Sequence, residues 1–216
     1  MITTGIRDED KSEYEDEKSR NESNWEKSYN RTVSQYYEGE SETESHLMKN
    51  KEEMRRINMK IALGCDHAGF SLKEAVKRHL QENDVYVYDF GTFDENSIDY
   101  PDIAFTVSNS VLEGEFDRGI FICGTGVGGA MVANKIPGIR AALCENTYTA
   151  RMSREHNNAN VLCMGSRVTG SGLALEIVDT FLKTPFQGGR HQQRVAKIEL
   201  YENRYCKTQQ QEPEED

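Results

Sequence analysis

Gly119-Ile120-Phe121-Ile122-Cys123-Gly124-Thr125-Gly126-Val127-Gly128-Gly129 decides the fold. An apolar run of five residues is too short for a buried helix, and a glycine-rich turn closes it abruptly. That combination predicts a strand buried on both faces, followed by a turn into a helix. The same pattern recurs on either side. Strands are predicted at 60–65, 85–90, 119–123, 140–144 and 161–165. Helical patterns separate them: Leu72, Ala75, Val76 and Leu80 form one apolar stripe, and Ala104, Val107, Val111 and Leu112 another. Ser71 with Glu74 reads as a capping box, Pro101 suits a first helical turn, and Asn146 or Thr147 can cap a helix reaching His156. Two further helices are expected at about 170–183 and 190–204. Doubly buried strands joined by crossover helices make an α/β fold, a Rossmann-like three-layer sandwich around a five-stranded parallel sheet.

This domain spans 59–204. Residues 1–58 differ sharply, with 25 charged residues and 13 apolar ones, too few to build a core, so they read as a disordered charged extension. Residues 205–216 form an acidic tail. Of the net charge of −11, the extension carries −5 and the tail −3, which leaves the domain nearly balanced and unlike a nucleic-acid-binding surface. Neither a membrane-length apolar run nor a signal peptide is apparent, so a cytoplasmic protein is expected. Cysteines 65, 123, 144, 163 and 206 are odd in number and form no CxxC pair. Free thiols are expected, with no zinc site.

Right-handed crossovers place the five strand ends on one edge of the sheet, where open α/β sheets bind ligands. Three unusual turns fall there: Gly64-Cys65-Asp66-His67-Ala68-Gly69, the glycine loop after Cys123, and Gly165-Ser166-Arg167. Together they suggest a site for a small anion. Gly124, Gly126 and Gly129 also fit G-x-G-x-x-G, with Glu145 21 residues beyond Gly124. A dinucleotide site is therefore an alternative, although that fingerprint normally lies on the first strand of its unit. In the other reading, loop amides converge on a phosphate or a developing oxyanion. Cys123 would then sit beside a helix N-terminus, whose positive dipole end favours the thiolate and equips it as a base or nucleophile. Cys144 and Cys163 read as buried core thiols, and Cys65 fits either role. Arg190 and Arg194, one helical turn apart, can converge on one phosphate or form a solvated face.

Eight motifs in order, GCDHAGF (64–70), DYPD (99–102), CGTGVG (123–128), ANK (133–135), GIRAA (138–142), SREHNNANVL (153–162), GSRV (165–168) and GGRHQQRV (188–195), resemble the ribose-5-phosphate isomerase B family. That family includes galactose-6-phosphate isomerase subunits and allose-6-phosphate isomerases. The resemblance covers 59–204 and says nothing of 1–58. It implies interconversion of D-ribose 5-phosphate and D-ribulose 5-phosphate, a step of pentose phosphate metabolism, through an enediol and without metal or organic cofactor.

By the same resemblance, Cys123 is the base that moves a proton between C1 and C2, with Thr125 beside it. Backbone amides of Gly124, Thr125, Gly126, Val127 and Gly128 stabilise the enediolate. His156 opens the furanose ring, and Asp66, Tyr100 and Asn157 surround the sugar. His67, Arg190 and Arg194 hold the phosphate, with Arg167 a further candidate. Family members are homodimers with shared active sites, some of them tetramers. Where the family usually has a bulky apolar residue after the loop, this chain has Gly129-Ala130. A less filled helix start would enlarge the sugar pocket and admit a 6-phosphorylated hexose. A non-catalytic sugar-phosphate sensor is the remaining alternative.

Chain direction adds one expectation from the residues alone. A helix leaving the ligand edge near Asn146 carries His156 about 15 Å away from it. His156 is then too far from Cys123 within one chain, and must serve a neighbour's site if it acts on the same sugar.

Overall fold

The computed structural model describes residues 59–206. The extension 1–58 and nearly all of the acidic tail lie outside the described residues.

Five parallel strands alternate with helices: β1 (Lys60–Cys65), α1 (Phe70–Glu82), β2 (Tyr86–Asp89), α2 (Tyr100–Leu112), β3 (Arg118–Cys123), α3 (Val127–Ala133), β4 (Ala141–Leu143), α4 (Thr147–Asn157), β5 (Val161–Gly165), α5 (Ser171–Lys183) and α6 (Arg190–Cys206). The sheet order is β2-β1-β3-β5-β4. The expected α/β sandwich is therefore present, and all five strands fall where the apolar runs lie. The edge strands are shorter than expected, because Val85, Phe90, Arg140 and Cys144 lie outside the paired registers.

Alternation along each strand feeds two cores. Ile61, Leu63, Ile120, Ile122, Leu162 and Met164 meet Val76 and Leu80 of α1, Ala150 of α4, and Ile177 and Phe181 of α5. Ala62, Phe121, Cys123, Val161 and Cys163 meet Ala104, Val107 and Val111 of α2 and Ala133 of α3. Helices α1 and α3 thus leave neighbouring strands β1 and β3 toward opposite faces. The carboxyl edge between β1 and β3 is therefore where the connections switch faces, the place where such sheets bind ligands in a crevice.

The start of α1 differs from the expected capping box. Asp66 caps a single 3-10 turn, His67–Gly69, with its Oδ1 accepting from the Gly69 amide at 2.9 Å. Helix α1 continues from that turn, so Ser71 already lies within the helix, its hydroxyl 3.5 Å from Glu95 Oε1. Asn146 caps α4 as expected, accepting from the Thr149 amide at 2.9 Å. Pro101 occupies the first turn of α2. Leu112 closes the α2 stripe in sequence but is exposed.

Candidate active site

Cys123 ends β3 at the mouth of the crevice and is 5% exposed. Its Sγ accepts a hydrogen bond from the Gly126 amide at 3.1 Å. The loop can make that bond because Gly126 takes φ +77°, a left-handed conformation suited to glycine. A Cβ there would also lie 2.4 Å from Leu143 Cδ1 and 2.8 Å from the Met164 carbonyl carbon. Negative charge on the sulfur would thus be met by a fixed N–H dipole.

The other thiols are in different surroundings. Burial pushes the Cys65 thiol up to about 12, an effect that nearby Lys73 only partly offsets. Burial likewise raises Cys144 and Cys163, as expected for core cysteines. Cys65, which fitted two roles in sequence, is fully enclosed in the core.

The three unusual turns meet around Cys123. Ser166, which follows β5, donates its amide to the Cys123 carbonyl at 2.8 Å, and its hydroxyl lies 2.7 Å from the Ala68 carbonyl and 3.2 Å from that of Cys123. This serine ties all three turns together. Its role arises from strand order, so no local sequence signal reveals it. Arg167 donates its amide to the Gly124 carbonyl at 3.0 Å, and its side chain passes over Gly124, where a Cβ would come within 3.6 Å of Cδ, Nε and Cζ. Tyr100 lies across Gly128: a Cβ there would be 2.7 Å from the ring and 2.9 Å from the hydroxyl. His67 Nδ1 accepts from the Ile98 amide at 3.4 Å, and Thr125 and Val127 are exposed at the loop tip. Asp66, His67, Tyr100, Cys123, Gly124, Thr125, Gly126, Val127, Gly128 and Arg167 therefore share the carboxyl edge.

Gly129 overturns one expectation. The space a Cβ would need is filled by the Phe121 ring, 2.3 Å away, so the missing side chain widens no sugar pocket. It accommodates a large core residue from β3. Gly129→Ala is accordingly expected to destabilise the fold by about 1–3 kcal/mol through overpacking. The double variant Gly129→Ala/Phe121→Leu should recover most of that loss in thermal melting.

The remaining candidates lie elsewhere. Helix α4 starts just after β4 and runs back along the sheet for 11 residues, about 16 Å. Beyond its end, the Asn160 carbonyl accepts from the Gly119 amide at 2.9 Å, near the start of β3. His156 and Asn157 are thus at the amino edge. Arg190 and Arg194 join them on the first turns of α6, because His191 of that helix stacks on His156 with ring centroids 4.1 Å apart. Each chain therefore holds two candidate half-sites at opposite edges, one with Cys123 and the glycine loop, the other with His156, Arg190 and Arg194.

A family model described as Ribose/Galactose Isomerase matches residues 61–198. The chain is 52% identical over 145 residues to ribose-5-phosphate isomerase B of Escherichia coli K12, covering 67% of this chain and 97% of that protein. It is 43% identical over 147 residues to a D-erythrulose-4-phosphate isomerase of Pectobacterium atrosepticum, covering 67% and 96%. Among solved structures, ribose-5-phosphate isomerase B of Clostridium thermocellum is 56% identical with a TM-score of 0.67, covering 68% of this chain and 99% of that one. The Mycoplasma genitalium enzyme with bound ribulose-5-phosphate is 44% identical with a TM-score of 0.65, covering 68% and 97%. The chain belongs to the ribose/galactose isomerase family.

Proposed function

We propose that this chain interconverts D-ribose 5-phosphate and D-ribulose 5-phosphate through an enediol, with Cys123 as the base. The observation that carries this reading is the Cys123 thiol at the crevice, with the Gly126 amide 3.1 Å from its sulfur. In the open-chain aldose, the Cys123 thiolate takes the proton from C2. The C2 electron pair forms the C1=C2 double bond, and charge passes to O1. Amides of Gly124 to Gly128 meet that charge, which exists only along the reaction path. Passing the O2 proton to O1 and returning the Cys123 proton to C1 yields the ketose. Thr125, Asp66 and Tyr100 border the reacting carbons on this edge, with Arg167 over the loop.

His67 from this edge and Arg190 and Arg194 from the other hold the phosphate. Asn157 contacts the sugar, and His156 gives a proton to the ring oxygen as the C1–O4 bond breaks, while O1 loses its hydroxyl proton to water and becomes the C1 carbonyl oxygen. Because the half-sites are at opposite edges, we assign them to one site through a two-fold homodimer in which each subunit completes its neighbour's crevice. Ile198, Leu200 and Tyr201 of α6 and Met131 of α3 are exposed apolar side chains that such an interface would bury. A cytoplasmic setting suits a thiol that must stay reduced.

The test is a panel of sugar phosphates assayed with the purified protein: ribose 5-phosphate, allose 6-phosphate, galactose 6-phosphate and erythrulose 4-phosphate. The highest kcat/KM is expected for ribose 5-phosphate. The Pectobacterium relative motivates the tetrose, and a larger kcat/KM on any other sugar overturns the pentose assignment. Binding without turnover or proton exchange would instead indicate a sensor.

A further inference from the structure

We propose that His191 is a positioning residue that holds the His156 imidazole, face to face, in the orientation needed to open the sugar ring. This rests on the assignment of His156 as the ring-opening acid. The two rings are nearly parallel, with centroids 4.1 Å apart and planes inclined by 4°. His191 is 4% exposed, whereas His156 is half-buried. The inner ring is thus a platform, and the outer ring is the more open of the two.

The platform is anchored independently of the stack. Ahead of α6, the Gln187 amide donates to the Glu155 carbonyl at 3.1 Å, and the Gln187 side-chain amide to Glu155 Oε2 at 3.0 Å. The His191 amide donates to the Gly188 carbonyl at 3.0 Å. These bonds pin the start of α6 against the end of α4. Rotation of His156 about its side-chain torsions would have to break the ring contact.

The chemistry of the inner ring suits this task. Arg190 Nε donates to His191 Nε2 at 3.4 Å, so the neutral ring carries its proton on Nδ1. That Nδ1 is buried with no hydrogen-bond partner among the described residues. What His191 gives the fold is therefore chiefly the face of its ring. Burial first, then His156, Arg190 and Arg194, lower the His191 pKa below the usual imidazole range, with Glu155 opposing. A neutral His191 puts no positive charge of its own against the face of His156. In-plane alignment matters because a general acid transfers its proton along the N–H direction.

The experiment separates ring opening from enediol chemistry. Ribose 5-phosphate closes into a furanose through O4, while ribulose 5-phosphate, its C5 oxygen phosphorylated, stays open. In deuterated water, Cys123 and the loop can exchange the C1 proton of ribulose 5-phosphate without any ring step, and NMR follows this directly. His191→Ala is expected to lower turnover of ribose 5-phosphate about ten- to a hundred-fold, the scale of a misplaced catalytic group. Exchange on ribulose 5-phosphate should change less than about twofold. His191→Phe, which keeps an aromatic face, should restore most turnover.

Unchanged turnover in His191→Ala overturns the inference, and so does an equal loss of exchange, which would mark a general structural role. If His191→Ala fails to fold, His191→Phe decides alone: low turnover with normal exchange overturns the stacking role, and retained turnover supports it. His156→Ala is the control for the underlying reading. If that variant keeps turnover, the assignment of His156 fails; if it loses turnover while His191→Ala does not, only the present inference fails.

Discussion

Cys123→Ala is expected to lower turnover of ribose 5-phosphate by at least about two orders of magnitude, the scale of a lost general base. None of the three core thiols can take over. Cys65, Cys144 and Cys163 are buried in the core, and burial raises the pKa of each, so none offers a thiolate near neutral pH. Substrate binding should survive, because the proposed phosphate and sugar contacts are made by other residues. Folding should also survive. Cys123 contributes one small side chain to the core formed with α2 and α3, and losing its sulfur costs on the order of 1 kcal/mol. Rate, melting temperature and affinity for ribulose 5-phosphate measured on one preparation separate these effects. Near wild-type turnover would move the base role to another residue.

The strands and the glycine loop are legible in sequence because each rests on a local pattern. β3 and β5 are buried on both faces and therefore read as unbroken apolar runs, and the loop is marked by its glycines. Other features depend on residues far apart in the chain. Ser166 gains its role because β5 lies beside β3, bringing the turn after it against Cys123 and Ala68. Gly129 looks like an empty space next to the loop, yet Phe121, eight residues earlier on β3, fills it. His191 stands between two arginines that draw attention to the phosphate, and its contact with His156 exists only because α6 folds back onto α4. At the start of α1, the capping box read at Ser71 gives way to a cap at Asp66. Asp66 prevails because the backbone turns just after β1, and the 3-10 turn leaves Ser71 inside the helix.

Mixing Cys123→Ala with His156→Ala subunits is expected to restore activity that neither variant has alone on ribose 5-phosphate. The basis is the placement of the two groups. Cys123 ends β3 at the carboxyl edge, whereas His156 is next to last in α4, a helix that runs about 16 Å toward the amino edge. Proton transfer requires both groups within hydrogen-bonding reach of one sugar, a few ångströms across. A single chain cannot meet that requirement with its sheet and helix intact. A two-fold axis can, by presenting the α4 and α6 half-site of each subunit to the crevice of the other. In a mixed dimer, one site then holds both Cys123 and His156, and the other lacks both. Random exchange of equal amounts makes half the dimers mixed, so about a quarter of all sites become intact. Activity should rise to about that fraction of wild type, with a time course matching subunit exchange followed by native mass spectrometry. Complete exchange with no gain in rate would rule out the shared site. It would leave His156 outside the reaction, since the length of α4 already separates it from the thiol of its own chain.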